Sequence, residues 1–165
     1  EVICETLIQE REPATLLNDV AEMRMRIDKE HHSEFIWEIK YIRGGLVDIE
    51  FTVQYLQLSN AHQYPDILSA NTSQAIQNLR EKDLLDDQQA NTLADALKLW
   101  QTIQGMLRLT IEGYFQPERE HEVPAALAQA LAEAGDCSDI DALKTHMKET
   151  ADAAYQVYLD LIGEP

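Results

Sequence analysis

The feature that most constrains this chain is one long stripe. Ala90, Leu93, Leu97, Trp100, Leu107 and Ile111 recur at helical spacing, and Ala96, Leu99, Ile103 and Met106 widen the pattern. Only an α-helix, with about 3.6 residues per turn, returns these side chains to one face. A stripe this broad must be covered from several sides, which calls for a bundle. Asp86 followed by Gln89 supplies the start signal, an oxygen side chain and an amide able to satisfy two free N–H groups.

Most of the remaining chain repeats the pattern. An opening helix carries Val2, Ile3, Leu7 and Ile8 and is interrupted at Glu12-Pro13, where Pro13 suits the first turn of a second helix. That helix is predicted over 14–30, with Leu17, Val20, Ala21, Arg24 and Ile27 or Asp28 on its inner face. Leu46, Ile49, Val53, Leu56 and Asn60 mark a third, ending about Ala61, and Asn71 with Gln74 opens a short one to about Glu81. Beyond Gly113, a polar connection through Pro117, Glu118, Arg119 and Glu120 leads to a helix between Pro124 and Gly135. Ser138 with Asp141 opens the last, whose Leu143, Met147, Ala151, Ala154, Tyr155, Tyr158 and Ile162 run to a left-handed stop at Gly163. Phe35 to Ile42 is the exception: dense in β-branched and aromatic residues and short for a helix, it reads as an extended segment near residues 36–40. The fold expected is all-α, a bundle of six to seven helices forming a single helical domain over 1–165, with that segment as its one extended piece.

Charge excludes several function classes. The chain has 30 acidic against 13 basic residues, a formal charge of −17, so phosphate backbones and acidic membrane surfaces would be repelled. Neither nucleic acid nor membrane is expected as a partner, and no apolar run approaches the roughly 20 residues that span a bilayer. Cys4 and Cys137 are far apart and form no C-x-x-C pair, so reduced thiols and a cytoplasmic setting are expected. A start at Glu1, already in helical register, reads as a fragment of something longer.

Candidate chemistry is sparse. His31 and His32 are adjacent and diverge by about 100° on a helix, while His62, His121 and His146 lack a second ligand one turn away. No G-x-S-x-G elbow, phosphate-binding Gly-Lys-Ser/Thr loop or G-x-G-x-x-G turn occurs. Asp139-Ile140-Asp141 sits at a helix start, where capping is the expected role. No catalytic residue and no metal ligand is assigned.

The segment Lys40-Tyr41-Ile42-Arg43-Gly44-Gly45-Leu46-Val47-Asp48-Ile49-Glu50-Phe51-Thr52-Val53-Gln54 stands apart. A glycine pair at a helix start lets backbone N–H groups approach an anion, and the helix dipole with Lys40 and Arg43 would add attraction. Gly-Gly before a helix is equally a hinge. Asp48 and Glu50 point about 200° apart on a helix and do not share an ion. Asp48 is expected to cap free N–H groups or to pair with Arg43, and Glu50, Gln54 and Gln57 form a polar stripe suited to an adjoining domain or to solvent.

These residues, continued to Leu58 and joined by Asp19 to Ile27, Asn71-Thr72 and Leu107-Arg108, resemble the bacterial glutamine synthetase adenylyltransferase family over the chain up to about Glu112. The G-G-L-V-D-I-E-F wording is similar to that of the C-terminal, adenylylating half. The resemblance implies a helical domain that follows a nucleotidyltransferase domain in the same chain, in an enzyme using ATP and magnesium. That domain's Gly-Ser with Asp-x-Asp signature is absent here, so the fragment alone is expected to be inactive and to need no cofactor of its own. Lys40, Arg43, Gly44 and Gly45 would face the nucleotide phosphates, with Asp48, Glu50 and Gln54 supporting the motif. Implied partners are the upstream nucleotidyltransferase domain, glutamine synthetase and the PII signalling protein. The alternatives are a docking module for glutamine synthetase or PII, and the helical domain of a PII uridylyltransferase.

Overall fold

The computed structural model describes residues 6–110 and 123–163. Six α-helices lie wholly within them: α1 Pro13–His31, α2 Leu46–Asn60, α3 Thr72–Glu81, α4 Asp87–Thr110, α5 Ala125–Ala134 and α6 Ile140–Leu161, with a 3₁₀ turn at Pro65–Ile67. No strand occurs among the described residues. Val2, Ile3, Cys4, Ile111, Gly113, His121 and the connection through Pro117 to Glu120 lie outside them.

Local chemistry sets the helix starts. Glu12 accepts from Ala14 N at 3.2 Å and Thr15 N at 2.6 Å, ahead of Pro13. Asp86 and Gln89 cap each other reciprocally, at 2.7 and 3.1 Å. Asn71 accepts from Gln74 N at 3.0 Å, but the Gln74 side chain donates onward to Asn78, and Ser69 Oγ receives the Asn71 N–H instead. The last helix departs from its expected start: Asp139, not Ser138, is the cap, accepting from Ala142 N at 2.8 Å. That bond foremost, and then one from the Ser138 hydroxyl at 2.9 Å, hold the Asp139 carboxyl below its usual range. Gly163 takes the left-handed conformation, φ +93°, just beyond α6.

The stripe on α4 forms the centre. Ala90, Leu93, Leu97, Trp100, Ile103 and Leu107 are buried, each large apolar side chain contributing roughly 1.5–3 kcal/mol. α6 packs along α4 and also touches α2 and α5, while α3 closes against α2 and α4. α1 packs on α2. Leu143, Met147, Ala151, Ala154 and Tyr158 are the side chains that α6 sends inward.

The expected extended segment is not found. Residues 35–45 fold as successive turns, in which Phe35 O accepts from Glu38 N at 2.8 Å and Glu38 O from both Tyr41 N and Ile42 N. The apolar density that reads as a strand reflects burial, since Trp37, Ile39 and Ile42 all enter the core. Extended backbone there would need a pairing strand, and a helical bundle has none.

Candidate functional site

The turns between α1 and α2 end at the glycine pair. Gly45 N donates to Ile42 O at 3.0 Å, Leu46 N to Ile39 O at 3.0 Å and Val47 N to Lys40 O at 3.2 Å. Gly44 N donates to Asp48 Oδ2 at 2.6 Å. The N–H groups of Gly44, Gly45, Leu46 and Val47 are thus engaged within the chain.

Each glycine is required for its own reason. Gly44 has φ +72°, and a Cβ there would lie 1.8 Å from Ala151 O on α6. Gly45 has ordinary backbone angles, but its Cβ would lie 2.3 Å from Ile39 O. Trp100 Nε1 donates to Gly44 O at 3.0 Å, so the turn is held against both α4 and α6.

Beneath the turn lies a buried ion cluster. Arg24 and Asp48 are both fully buried, and Arg24 Nε donates to Asp48 Oδ1. Arg24 Nη2 reaches Tyr41 O at 3.2 Å, and Arg24 Nη1 lies 3.4 Å from Asp28 Oδ1. Asp28 Oδ2 takes Arg43 Nη2 at 2.9 Å. Two cations and two carboxylates therefore compensate one another, with Asp48 also serving Gly44. Asp48 pairs with Arg24 and not with Arg43, whose partner is Asp28. A buried pair of this kind costs several kcal/mol to break by removing one member.

On the far side, Arg43 lies 5.4 Å over the Tyr155 ring, which stacks on Tyr158 at 5.9 Å. Burial foremost, then the nearby Asp48 charge, pushes the Tyr158 hydroxyl up to about 12, partly offset by Arg24 and Arg43. Its Oη and Arg43 Nη1 are buried without a hydrogen-bond partner. Lys40 is exposed, its Nζ 5.0 Å from the Tyr41 ring, and that ring stacks on His31 at 4.4 Å.

The polar stripe on α2 divides. Gln57 is buried and accepts from Ser69 N at 2.7 Å, tying α2 to the segment before α3. Gln54 is exposed and Glu50 half-exposed, and both line a cleft of about 470 Å³. Among the described residues no three His, Cys, Asp or Glu side chains gather as metal ligands.

The partnership of Arg24 with Asp48 was the feature missed from sequence. The signal was present: a cation within the apolar stripe of α1 and an acid among the apolar residues opening α2 each need a buried counter-charge.

Residues 15–161 match the family model described as GlnD PII-uridylyltransferase. The bifunctional glutamine synthetase adenylyltransferase/adenylyl-removing enzyme of Rhodopseudomonas palustris (strain ATCC BAA-98 / CGA009) is 38% identical over 163 residues, 99% of this chain and 16% of that protein. Its counterpart in Bradyrhizobium diazoefficiens is 37% identical over 161 residues, 98% of this chain and 16% of that protein. That of Xanthobacter autotrophicus is 32% identical over 150 residues, 91% of this chain and 15% of that protein. The chain thus spans about one sixth of the length of these relatives. No solved structure matches.

Proposed function

The chain belongs to the family described as GlnD PII-uridylyltransferase, and from that premise we propose that it is the non-catalytic helical domain of a glutamine synthetase adenylyltransferase. The relatives bearing that name, 37–38% identical over 98–99% of the chain, support the adenylyl reading. In this reading the domain follows a nucleotidyltransferase domain of the same polypeptide and forms a wall of its cleft. ATP and magnesium are bound by that other domain, glutamine synthetase is the protein modified, and the setting is the cytoplasm. Cys137, a free thiol, suits a reducing compartment.

One observation carries the proposal: the turn 40–45 is pinned from below by the Arg24–Asp48 pair and from the side by Trp100 and Ala151. A loop so anchored holds the backbone that carries Lys40, exposed, and Arg43, half-buried on Asp28, in one place, as a phosphate-facing wall requires. Gly44 and Gly45 shape that loop, Asp48 holds it, and Glu50 and Gln54 keep α2 in register against the neighbouring domain.

The test is AMP transfer by the complete enzyme carrying Lys40→Ala or Arg43→Ala. Loss of a charge-assisted contact worth about 1.5–3 kcal/mol should raise the KM for ATP roughly tenfold or more. ATP saturation unchanged in both variants refutes the phosphate role. Lys40→Ala is the cleaner of the two, because Arg43 also holds Asp28.

The acidic charge favours a second reading, in which this domain docks glutamine synthetase or the PII protein through a basic surface. Capture of either protein by the domain, without nucleotide binding, would select it.

A further inference from the structure

The outer side of α2 is apolar where an exposed helix face would be polar. Phe51, Tyr55 and Leu58 fall on one face, half-buried, with the exposed Gln54 among them, while Ile49, Val53 and Leu56 fill the core behind. An apolar helix face is ordinarily covered by a neighbour. Val20 and Met23 of α1 face Phe51 and Tyr55 across a hollow of about 180 Å³, with Met23 48% exposed. On the other flank, Leu7, Leu68 and Ala70 face Val53 and Glu50 across the cleft of about 470 Å³. Gln54 and Leu58 line both, so the two hollows form one grooved surface astride α2.

Charge and chain length narrow the occupant. Asp19 stands in one hollow and Glu50 in the other, and the chain carries −17 overall, so a second copy would bring like charge to the groove. The fitting partner has an apolar stripe edged by Lys or Arg. The relatives hold about five sixths of their length outside the matched region. Leu7 lines the larger cleft, so polypeptide preceding residue 6 can reach the groove with the least linker and hence at high effective concentration.

We propose that this face of α2 is the seat of a helix of the same polypeptide, apolar along one stripe and edged with basic side chains, from the part that precedes residue 6 in the longer enzyme. The inference rests on the function proposed above and adds to it the surface by which the domain is held. Phe51, Leu58 and Met23 supply the apolar contact; Glu50 and Asp19 supply orientation.

The test uses the complete enzyme with Cys4, Cys137 and every cysteine of the remaining polypeptide replaced by Ser and a single reporter, Gln54→Cys, with Gln101→Cys on the exposed side of α4 as control. Maleimide should label position 54 about tenfold more slowly than position 101, as for a site that reacts only on local opening. A benzophenone maleimide attached at position 54 and irradiated should crosslink within the chain, to a peptide preceding residue 6. Equal labelling at the two positions overturns the proposal, as does a crosslink to a second copy, to another protein or to a peptide beyond residue 165. Loss of the phosphate role leaves the crosslink in place, whereas loss of the crosslink with ATP saturation still dependent on Lys40 overturns the docking alone.

Discussion

Removing the Asp48 charge isolates the energetics on which the anchored turn depends. In Asp48→Asn the side chain keeps its shape and an amide oxygen for the Gly44 N–H, but Arg24 is left as a fully buried cation. Its other contacts, Tyr41 O at 3.2 Å and Asp28 at 3.4 Å, are longer and only partly compensating. Breaking a buried pair from one side costs about 3–5 kcal/mol. Against the roughly 5–15 kcal/mol that holds a typical domain folded, that is at least about a fifth of the total. With a urea m-value of about 2 kcal/mol/M, the unfolding midpoint should fall by about 1.5–2.5 M.

The double variant Arg24→Met, Asp48→Asn decides whether this reasoning is correct. It leaves no unpaired charge, and the Met fills much of the space vacated by the aliphatic stem of Arg24. It should therefore be more stable than Asp48→Asn alone, by about 1–3 kcal/mol of coupling, although it carries one substitution more. Far-UV circular dichroism in urea gives the midpoints, and Trp100 emission in a Trp37→Phe background, sensitive to its bond with Gly44 O, reports whether the turn stays seated. A double variant less stable than Asp48→Asn, its loss from the unsubstituted protein equal to the sum of the two separate losses, would falsify the account of a charge pair.

Gly44→Ala and Gly163→Ala both place Ala at positive φ, yet only the first drives a Cβ into another helix, 1.8 Å from Ala151 O. Gly163→Ala should cost about 1 kcal/mol and Gly44→Ala about 3 kcal/mol or more in thermal unfolding; equal losses would mean the turn does not press on α6. Tyr158 is protonated in the folded state up to about 12 because burial disfavours its anion, so the stability it lends is fully present below pH 10 and lost as pH rises from there toward 12. Tyr158→Phe should flatten that alkaline decline, read from urea midpoints across the window; a decline identical in both proteins would place the titrating group elsewhere.

Local signals made the helices legible. The Asp86 and Gln89 pair caps α4 as its spacing indicates, and the stripe from Ala90 to Leu107 is buried as its period requires. These features depend on neighbours within a turn of the helix. Phe35 to Ile42 misleads because β-branched and aromatic density reports burial before it reports backbone conformation. Asp48 shows a different limit. Its position in the first turn of α2 says that it can bond a nearby N–H, and it does, to Gly44. Its counter-ion lies 24 residues away on α1, and periodicity gives the face of each helix but not which faces meet. The need for glycine at position 44 is set by Ala151, more than a hundred residues along the sequence, and no local rule reaches that far.

The motif around the glycine pair therefore divides along burial, and the division has consequences for any mutational study. Gly44, Gly45 and Asp48 are enclosed and spend their polar groups on one another, on Arg24 and on the flanking turns. Lys40 and Gln54 are exposed, and Glu50 is partly so. A substitution in the first set moves the turn and the ends of α1 and α2 together, so activity and unfolding midpoint must fall in parallel. A substitution in the second set leaves the enclosed contacts intact, and surface changes of that kind usually alter stability by no more than about 0.5 kcal/mol. An activity change at Lys40 or Gln54 with an unmoved midpoint thus reports on recognition, whereas the same loss at Gly44 carries no such information, however large it is.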